Sequence, residues 1–331
     1  MLRARIIACA ALVLAGCSPG GEVGDVNAPA QPTAAPSTPT PTPPADSADP
    51  SPACADEPCY AAPESLGAFD PAVVSELSGM AASHRSPELY YVISDLAGTS
   101  DVAVVEEDGT VVGQIEVDGL SARNAEDLAV GPCGPDDDAT CLFIGDIGNH
   151  VGLPDLFIYR IAESDLDDLP ARVSADMLQY TYPGEPTDAE ALFVDDEGRP
   201  ILISKAWFDE STGETGPTQV LRGSRDGGRL EHLGDLDLPE PESALFAGLV
   251  GHVVTAADST PGRVIVRTYD EIYEYRATES SADLGTFPEW PVRHVPTPFQ
   301  MQSETIAYRI DGCGYLTTSE LTGSIDGVAC E

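Results

Sequence analysis

From about residue 61 to the C-terminus, short apolar runs alternate with turn signals. Residues 89–93, 102–105, 111–117, 141–144, 156–161, 201–203, 253–256, 263–268 and 272–275 are rich in β-branched and aromatic side chains, which fit a pleated, half-buried surface. Between them stand Asp108-Gly109, Glu197-Gly198, Asp226-Gly227 and Asp311-Gly312, pairs that tolerate the positive φ of tight hairpins. Helical periodicity is weak and confined to residues 70–82 and 163–172. The pattern predicts an all-β domain built as a sandwich, barrel or propeller.

Internal repetition selects the propeller. Glu126-Asp127-Leu128-Ala129-Val130 followed by residues 141–146 parallels Glu190-Ala191-Leu192-Phe193-Val194 followed by residues 201–205. Glu304-Thr305-Ile306-Ala307-Tyr308 followed by residues 314–320 repeats the unit again. Each copy has a glutamate, a strand, a turn, a second strand, a small residue and a charged one. Residues 76–95 are a degraded copy, and Val253-Val254-Thr255-Ala256-Ala257 opens a copy without its glutamate. These five units, with room for another over residues 209–236, predict a β-propeller of about six blades, five or seven also being compatible with the repeats.

The first sixty residues have a different character. A basic start (1–5) and an apolar run (6–14), too short to cross a bilayer, read as a secretory signal ending at residue 16. Leu14-Ala15-Gly16-Cys17 resembles the lipobox of bacterial lipoproteins, which implies a lipid (diacylglycerol, palmitate-type acyl chains) on Cys17 and an extracytoplasmic, membrane-anchored location. Residues 17–60 are dominated by Pro, Ala, Ser and Thr and predict a disordered tether, extended by its prolines to as much as ~110 Å. The propeller then occupies residues 61–331. Apart from Cys9 in the leader and Cys17, six cysteines remain. Their local spacing in an oxidising compartment predicts Cys54–Cys59, Cys133–Cys141 and Cys313–Cys330 disulfides. No C-x-x-C spacing supports a metal–thiolate site.

Charge narrows the partners. There are 56 acidic against 16 basic residues, for a net charge of -40, and Lys205 is the only lysine. Such a surface repels nucleic acid and anionic lipid and favours cations, solubility and a monomer. No G-x-S-x-G elbow, phosphate loop or H-E-x-x-H spacing is present.

In a propeller the inner strand of each blade lines an axial channel, so acids distant in sequence converge at its mouth. Asp95, Glu126, Asp127, Asp146, Asn149, Glu190 and Glu304 are the expected ligand set. Oxygen donors without histidine or thiolate suit Ca²⁺. The alternative is that each repeated glutamate caps its own blade by accepting backbone N–H groups, with no metal. Lys205 stands where other repeats carry an acid and is expected to pair with a carboxylate such as Glu190 or to meet an anionic group. With His150, beside the acidic motif, it completes the candidates for a catalytic role. The acids of Asp136-Asp137-Asp138 are expected to be solvated.

The run Ser121-Ala122-Arg123-Asn124-Ala125-Glu126-Asp127-Leu128-Ala129, with residues 143–149, Ile158-Tyr159-Arg160, Asp188-Ala189-Glu190-Ala191-Leu192 and Ser303-Glu304-Thr305-Ile306-Ala307, resembles a family of exported bacterial β-propellers. That family is common in high-GC Gram-positives and mostly uncharacterised, and the resemblance spans about residues 78–320. More distantly the chain is similar to propellers with phytase or esterase-like labels and to calcium-dependent lactonases and gluconolactonases. It departs from an all-acidic loop at Asn149 and His150, where a bound metal would lose a negative charge. The resemblance implies a lipoprotein presenting an acidic, calcium-binding propeller to a protein or small-molecule ligand. Its alternative is a calcium-dependent hydrolase of phosphoesters or lactones at the channel mouth.

Overall fold

The computed structural model describes residues 60–70, 74–135, 139–149, 151–166, 168–206, 208–209, 214–240 and 252–331. The expected leader, Cys17, the expected tether up to residue 59, Cys54, Cys59, Asp136-Asp137-Asp138 and His150 lie outside them.

Five antiparallel blades follow one another along the chain. The first runs outward through Leu77–Ala82, Leu89–Ser94, Asp101–Glu106 and Val111–Asp118. The second comprises Ala125–Pro132, Thr140–Asp146, Asp155–Ala162 and Asp176–Thr181, and the third Ala189–Val194, Pro200–Ser204, Thr218–Arg222 and Glu231–Leu236. The fourth is Val254–Thr260, Arg263–Thr268, Ile272–Arg276 and Val292–Val295. The fifth takes Ser303–Tyr308, Tyr315–Ser319 and Ser324–Val328 from the C-terminus and its outer strand, Glu64–Ala68, from the start of the domain. The ring is therefore closed by backbone pairing between the two ends of the domain.

Blade number corrects the expectation of about six. The segment expected to form an extra blade supplies the outer two strands of the third, Thr218–Arg222 and Glu231–Leu236. The repeats look unevenly spaced because the second and third blades carry insertions. One is the 3-10 turn Glu163–Leu166 with strand Ala171–Ser174; another is the small hairpin of Phe208–Asp209 with Glu214–Thr215. The weak helical periods also resolve differently: the end of the first is the fully buried inner strand Leu77–Ala82. A strand buried on both faces loses the alternation that would reveal it.

Neighbouring blades pack face to face, so the core is five apolar layers between sheets rather than one centre. Tyr91, Ile93 and Val104 meet Leu128, Leu142 and Tyr159 between the first two blades, while Phe193 and Tyr275 stack edge-on against Phe287 beside the fourth. Outer edges are covered as well. Ala171–Ser174, from the second blade's insertion, pairs in parallel with the first blade's edge, and Gly228–Arg229 of the third pairs with the second. Such covering removes an open template for aggregation.

Two buried carboxylates act as clamps. Glu163 Oε1 accepts from Ser83 Oγ at 2.7 Å, the His84 N–H at 2.9 Å and Tyr91 Oη at 3.2 Å, while Oε2 accepts from Thr140 Oγ1 at 2.5 Å. This fixes the first hairpin of one blade to the next. Glu274, with no exposed side-chain surface, accepts from Arg293 at 2.7 Å, Arg276 at 2.9 Å, Tyr308 Oη at 3.0 Å and Tyr60 Oη at 2.5 Å. Tyr60, the first described residue, is bridged to Cys330 and stacks edge-on against Tyr315.

Cys133 is bonded to Cys141 and Cys313 to Cys330, as the spacing predicts. The second pair fastens the last residues of the chain at the seam where the ring closes. Cys313→Ser with Cys330→Ser is expected to lower the unfolding free energy by about 3 kcal/mol, the value for a closed loop of that size. Urea titration of the oxidised double variant against wild type measures it; an unchanged midpoint would show that backbone pairing alone holds the seam.

Candidate functional site

Every inner strand opens with the same irregularity. The pairing register slips between Leu77 and Gly79, Ala125 and Asp127, Ala189 and Ala191, Val254 and Ala256, and Ser303 and Thr305. A bulge leaves one residue out of the ladder and re-aims its side chain. The residues left out are Ser78, Glu126, Glu190, Thr255 and Glu304, all buried. Five blades thus contribute one equivalent residue each to one end of the channel, and three of the five are glutamates. The strands come very close there: a Cβ on Gly79 would stand 2.7 Å from the Asp127 Cα in the next blade.

A second tier comes from the residue just beyond the paired end of each second strand. Ser94, Asp146, Ser204, Thr268 and Ser319 are the last paired positions, so the tier is Asp95, Ile147, Lys205, Tyr269 and Glu320. Lys205 Nζ lies 3.0 Å from Glu190 Oε1 and 5.7 Å from the centre of the Tyr269 ring. Tyr269 and Glu320 both bear electrostatically on Glu304. Ser78 Oγ donates to Glu126 Oε2 at 2.9 Å, and Asn124 Nδ2 donates to its Oε1. One carboxylate oxygen from each of Glu76, Asp95 and Glu320 lies within 4.8 Å of the other two at the rim.

Burial and mutual repulsion hold these acids toward their protonated forms. Desolvation first, then Glu190, pushes Glu126 well above the usual carboxylate range. Glu190 rises to about 7 through burial despite the nearby ammonium of Lys205. Glu304 is raised by burial, Asp95 to about 6 by burial and Glu76, and Glu320 to about 8 by burial and Glu76. Desolvation opposes the charge on Lys205, yet Glu190, Tyr269, Glu304 and Glu126 together hold its ammonium well above the ordinary lysine value. At the mouth, then, several carboxyl groups share one ammonium.

The remaining expected ligands are placed elsewhere. Asp127 is fully buried deeper in the channel, accepting from the N–H of Leu128 at 2.8 Å and of Leu192 at 2.9 Å, and it staples adjacent inner strands. Asp146 stands one register position before the second tier, so the strand's alternation turns it away from the mouth. It accepts from the backbone N–H groups of Arg123 and Asn124, each at 2.8 Å. Asn149 Oδ1 accepts from the Leu153 N–H at 2.6 Å and its Nδ2 donates to Tyr182 Oη at 3.0 Å, which pins its own loop. Of the expected set, Glu126, Glu190, Glu304, Asp95 and Lys205 come together. Glu76, Glu320 and Tyr269 join them unforeseen, although Tyr269 and Glu320 follow their strands at the offset of Lys205. At the other end of the channel a cavity of about 40 Å³ is lined by Ala82, His84, Asp258, Tyr308 and Arg309.

No family model matches the chain, and no curated protein is similar to it. Among solved structures it is similar to hydrazine synthase of Kuenenia stuttgartiensis, at 11% identity and TM-score 0.40 over 76% of this chain and 70% of that one. It is also similar to a catalytically inactive virginiamycin B lyase from Staphylococcus aureus (12%, 0.38, covering 77% and 66%). A putative gluconolactonase gives 11%, TM-score 0.44, and coverage of 82% and 92%. Likeness at this level says nothing of what the present chain binds.

The raised carboxyls set a pH dependence. In chelated buffer, Asp95, Glu190, Asp258 (about 7, through burial) and Glu320 keep protons in the folded chain that the unfolded chain has already released. The folded state then binds more protons than the unfolded one, so stability falls as pH rises from about 5 to 8. His84, lowered by burial, works the other way. Thermal melts across that range should show a descending midpoint; a midpoint that climbs would contradict this reading of the mouth.

Proposed function

We propose that the channel mouth is a calcium-binding centre of an exported, lipid-anchored propeller whose role is to bind a ligand. The observation that carries this is the set of five aligned bulges, which brings Glu126, Glu190 and Glu304 together with the hydroxyls of Ser78 and Thr255. Their exposures are only 5, 4 and 6% for the three glutamates, and Lys205 is the single ammonium beside them. Buried carboxylates are costly unless compensated by cations or hydrogen bonds. An all-oxygen donor set with flexible carboxylates suits Ca²⁺, which takes six to eight oxygens at roughly 2.3–2.6 Å. The groups beside these acids (Ser78, Asn124, Lys205 and Tyr269) are side chains, and the three glutamates would have to draw closer together to share an ion, since among the described residues only Glu76, Asp95 and Glu320 already hold oxygens within 4.8 Å of one another. Glu126, Glu190 and Glu304 would hold it, and Lys205 would be freed from Glu190.

Binding is preferred to hydrolysis because the described histidines are engaged elsewhere. His232 pairs with Asp235, His252 with Glu240 and His294 with Glu271, and His84 lies at the opposite end of the channel. Anchoring rests on the Leu14-Ala15-Gly16-Cys17 sequence.

Calorimetric titration with Ca²⁺ is expected to show saturable binding. At a hundredfold excess over Kd the gain is about 2.7 kcal/mol, a rise in melting temperature of roughly 5–10 °C. Glu126→Gln and Glu304→Gln should each abolish that rise while remaining folded. A wild-type protein with neither heat of binding nor a shifted melt would leave the glutamates as blade caps. For the anchor, Cys17→Ser should move the protein from the membrane fraction to the soluble one, and retention on membranes would overturn the lipid assignment.

A further inference from the structure

The face that carries the mouth also carries an unusual share of exposed apolar side chains. Loops after each second strand and before each inner strand lie at this end of the ring. They hold Leu96 (49% exposed), Phe299 (82%), Met301 (55%) and Leu321 (56%), as well as Val151 of the second blade. Single exposed apolar residues are ordinary, but clusters rimmed by polar groups mark contact surfaces. Four of these stand on loops of the fifth and first blades, the blades that also supply the acid trio of Glu76, Asp95 and Glu320. Leu96 directly follows Asp95, and Leu321 directly follows Glu320. Met301 precedes Gln302, whose Nε2 donates to Glu320 Oε2 at 2.9 Å, and its carbonyl accepts from Ser319 Oγ.

We infer that this rim is a docking surface for a basic, apolar-flanked segment of a partner protein. A lysine or arginine of the partner would enter among Glu76, Asp95 and Glu320, and its aliphatic or aromatic neighbours would cover Phe299, Met301, Leu96 and Leu321. Charge complementarity selects this occupant. A second copy of the chain would bring two acid trios together on molecules of net charge -40, and anionic lipid would be repelled by the same groups. A basic segment answers both the negative charge and the exposed apolar area. Exposed Phe and Met are residue types enriched at protein interfaces relative to the rest of a surface. The rim acids adjoin the bulge residues proposed to hold calcium but are other residues, and the inference does not depend on that reading.

The test uses the full chain without its leader and a fluorescent ten-residue peptide alternating lysine with leucine and phenylalanine. Anisotropy is followed with calcium present and with calcium chelated. Saturable binding is expected, lost when glutamate replaces the lysines and when serine replaces the apolar residues. Phe299→Ser with Leu321→Ser, and separately Glu320→Gln, should each weaken binding at least tenfold. Met177→Ser, an exposed apolar residue on the outer edge of the second blade, should leave it unchanged. Glu126→Gln should bind the peptide like wild type even if it has lost calcium, so the two proposals fail separately. Absence of peptide binding, or equal binding by wild type and the rim variants, overturns the inference. So does rim-dependent association with phosphatidylglycerol vesicles, or with a second copy in sedimentation, in place of the peptide.

Discussion

Five strands converging on one axis leave room for very little between them, and the bulge that opens each strand decides what occupies that room. A ladder that ran regularly to its end would alternate its side chains between the two faces of the blade. The slipped residue leaves that alternation and joins its four equivalents at the channel end. Whatever residue type stands at the slip is thereby forced into a shared, water-poor space. Here the types are serine, glutamate, glutamate, threonine and glutamate, so ring closure itself concentrates negative charge. Closure in turn rests on Glu64–Ala68 pairing with Ser324–Val328 and on the disulfide at the same seam.

The molecule treats its buried acids in two ways. Glu274 is enclosed by arginines and tyrosine hydroxyls, and the Tyr60 hydrogen bond with Arg276 and Arg293 outweighs its burial, holding it below the usual carboxylate range. Glu163 and Asp127 are matched by hydroxyl and backbone donors. These acids need nothing further. Glu126, Glu190 and Glu304 are nearly as buried, but the partners they show are side chains, Ser78 and Asn124 for Glu126 and Lys205 for Glu190, and burial raises all three, as it raises Asp127. The contrast lies within one chain: sites that serve the fold are satisfied by the fold, whereas the mouth carries surplus negative charge.

Much of this was legible in the sequence because in three of the five blades the bulge places a glutamate immediately before an apolar strand. The repeat signal and the convergence of Glu126, Glu190, Glu304 and Lys205 follow from it. The blade count was misread because Thr218–Arg222 and Glu231–Leu236 are separated from their own inner strand by an inserted hairpin and look like an independent unit. Asp146 looked equivalent to Asp95 and Lys205 since all follow a strand. The true equivalence is set by hydrogen-bond register, and one position reverses the direction of a side chain. Glu76 was hidden for another reason. It sits two residues before the bulge with φ of 49°, like Gln302 in the fifth blade, a left-handed turn that no apolar pattern announces.

Chain direction adds a last constraint. The final strand, Ser324–Val328, runs away from the mouth, and its partner Glu64–Ala68 runs toward it, so Tyr60 and Cys330 stand at the opposite end of the ring. Tension applied to the domain's N-terminus would therefore be received by the Tyr60–Glu274 hydrogen bond, the three arginines around Glu274 and the Cys313–Cys330 link, none of which touches the carboxylate network. Under the proposed anchoring, attachment and recognition occupy opposite faces. The acid mouth and its apolar rim lie at the end of the ring remote from Tyr60, where a partner approaching from solution would meet them.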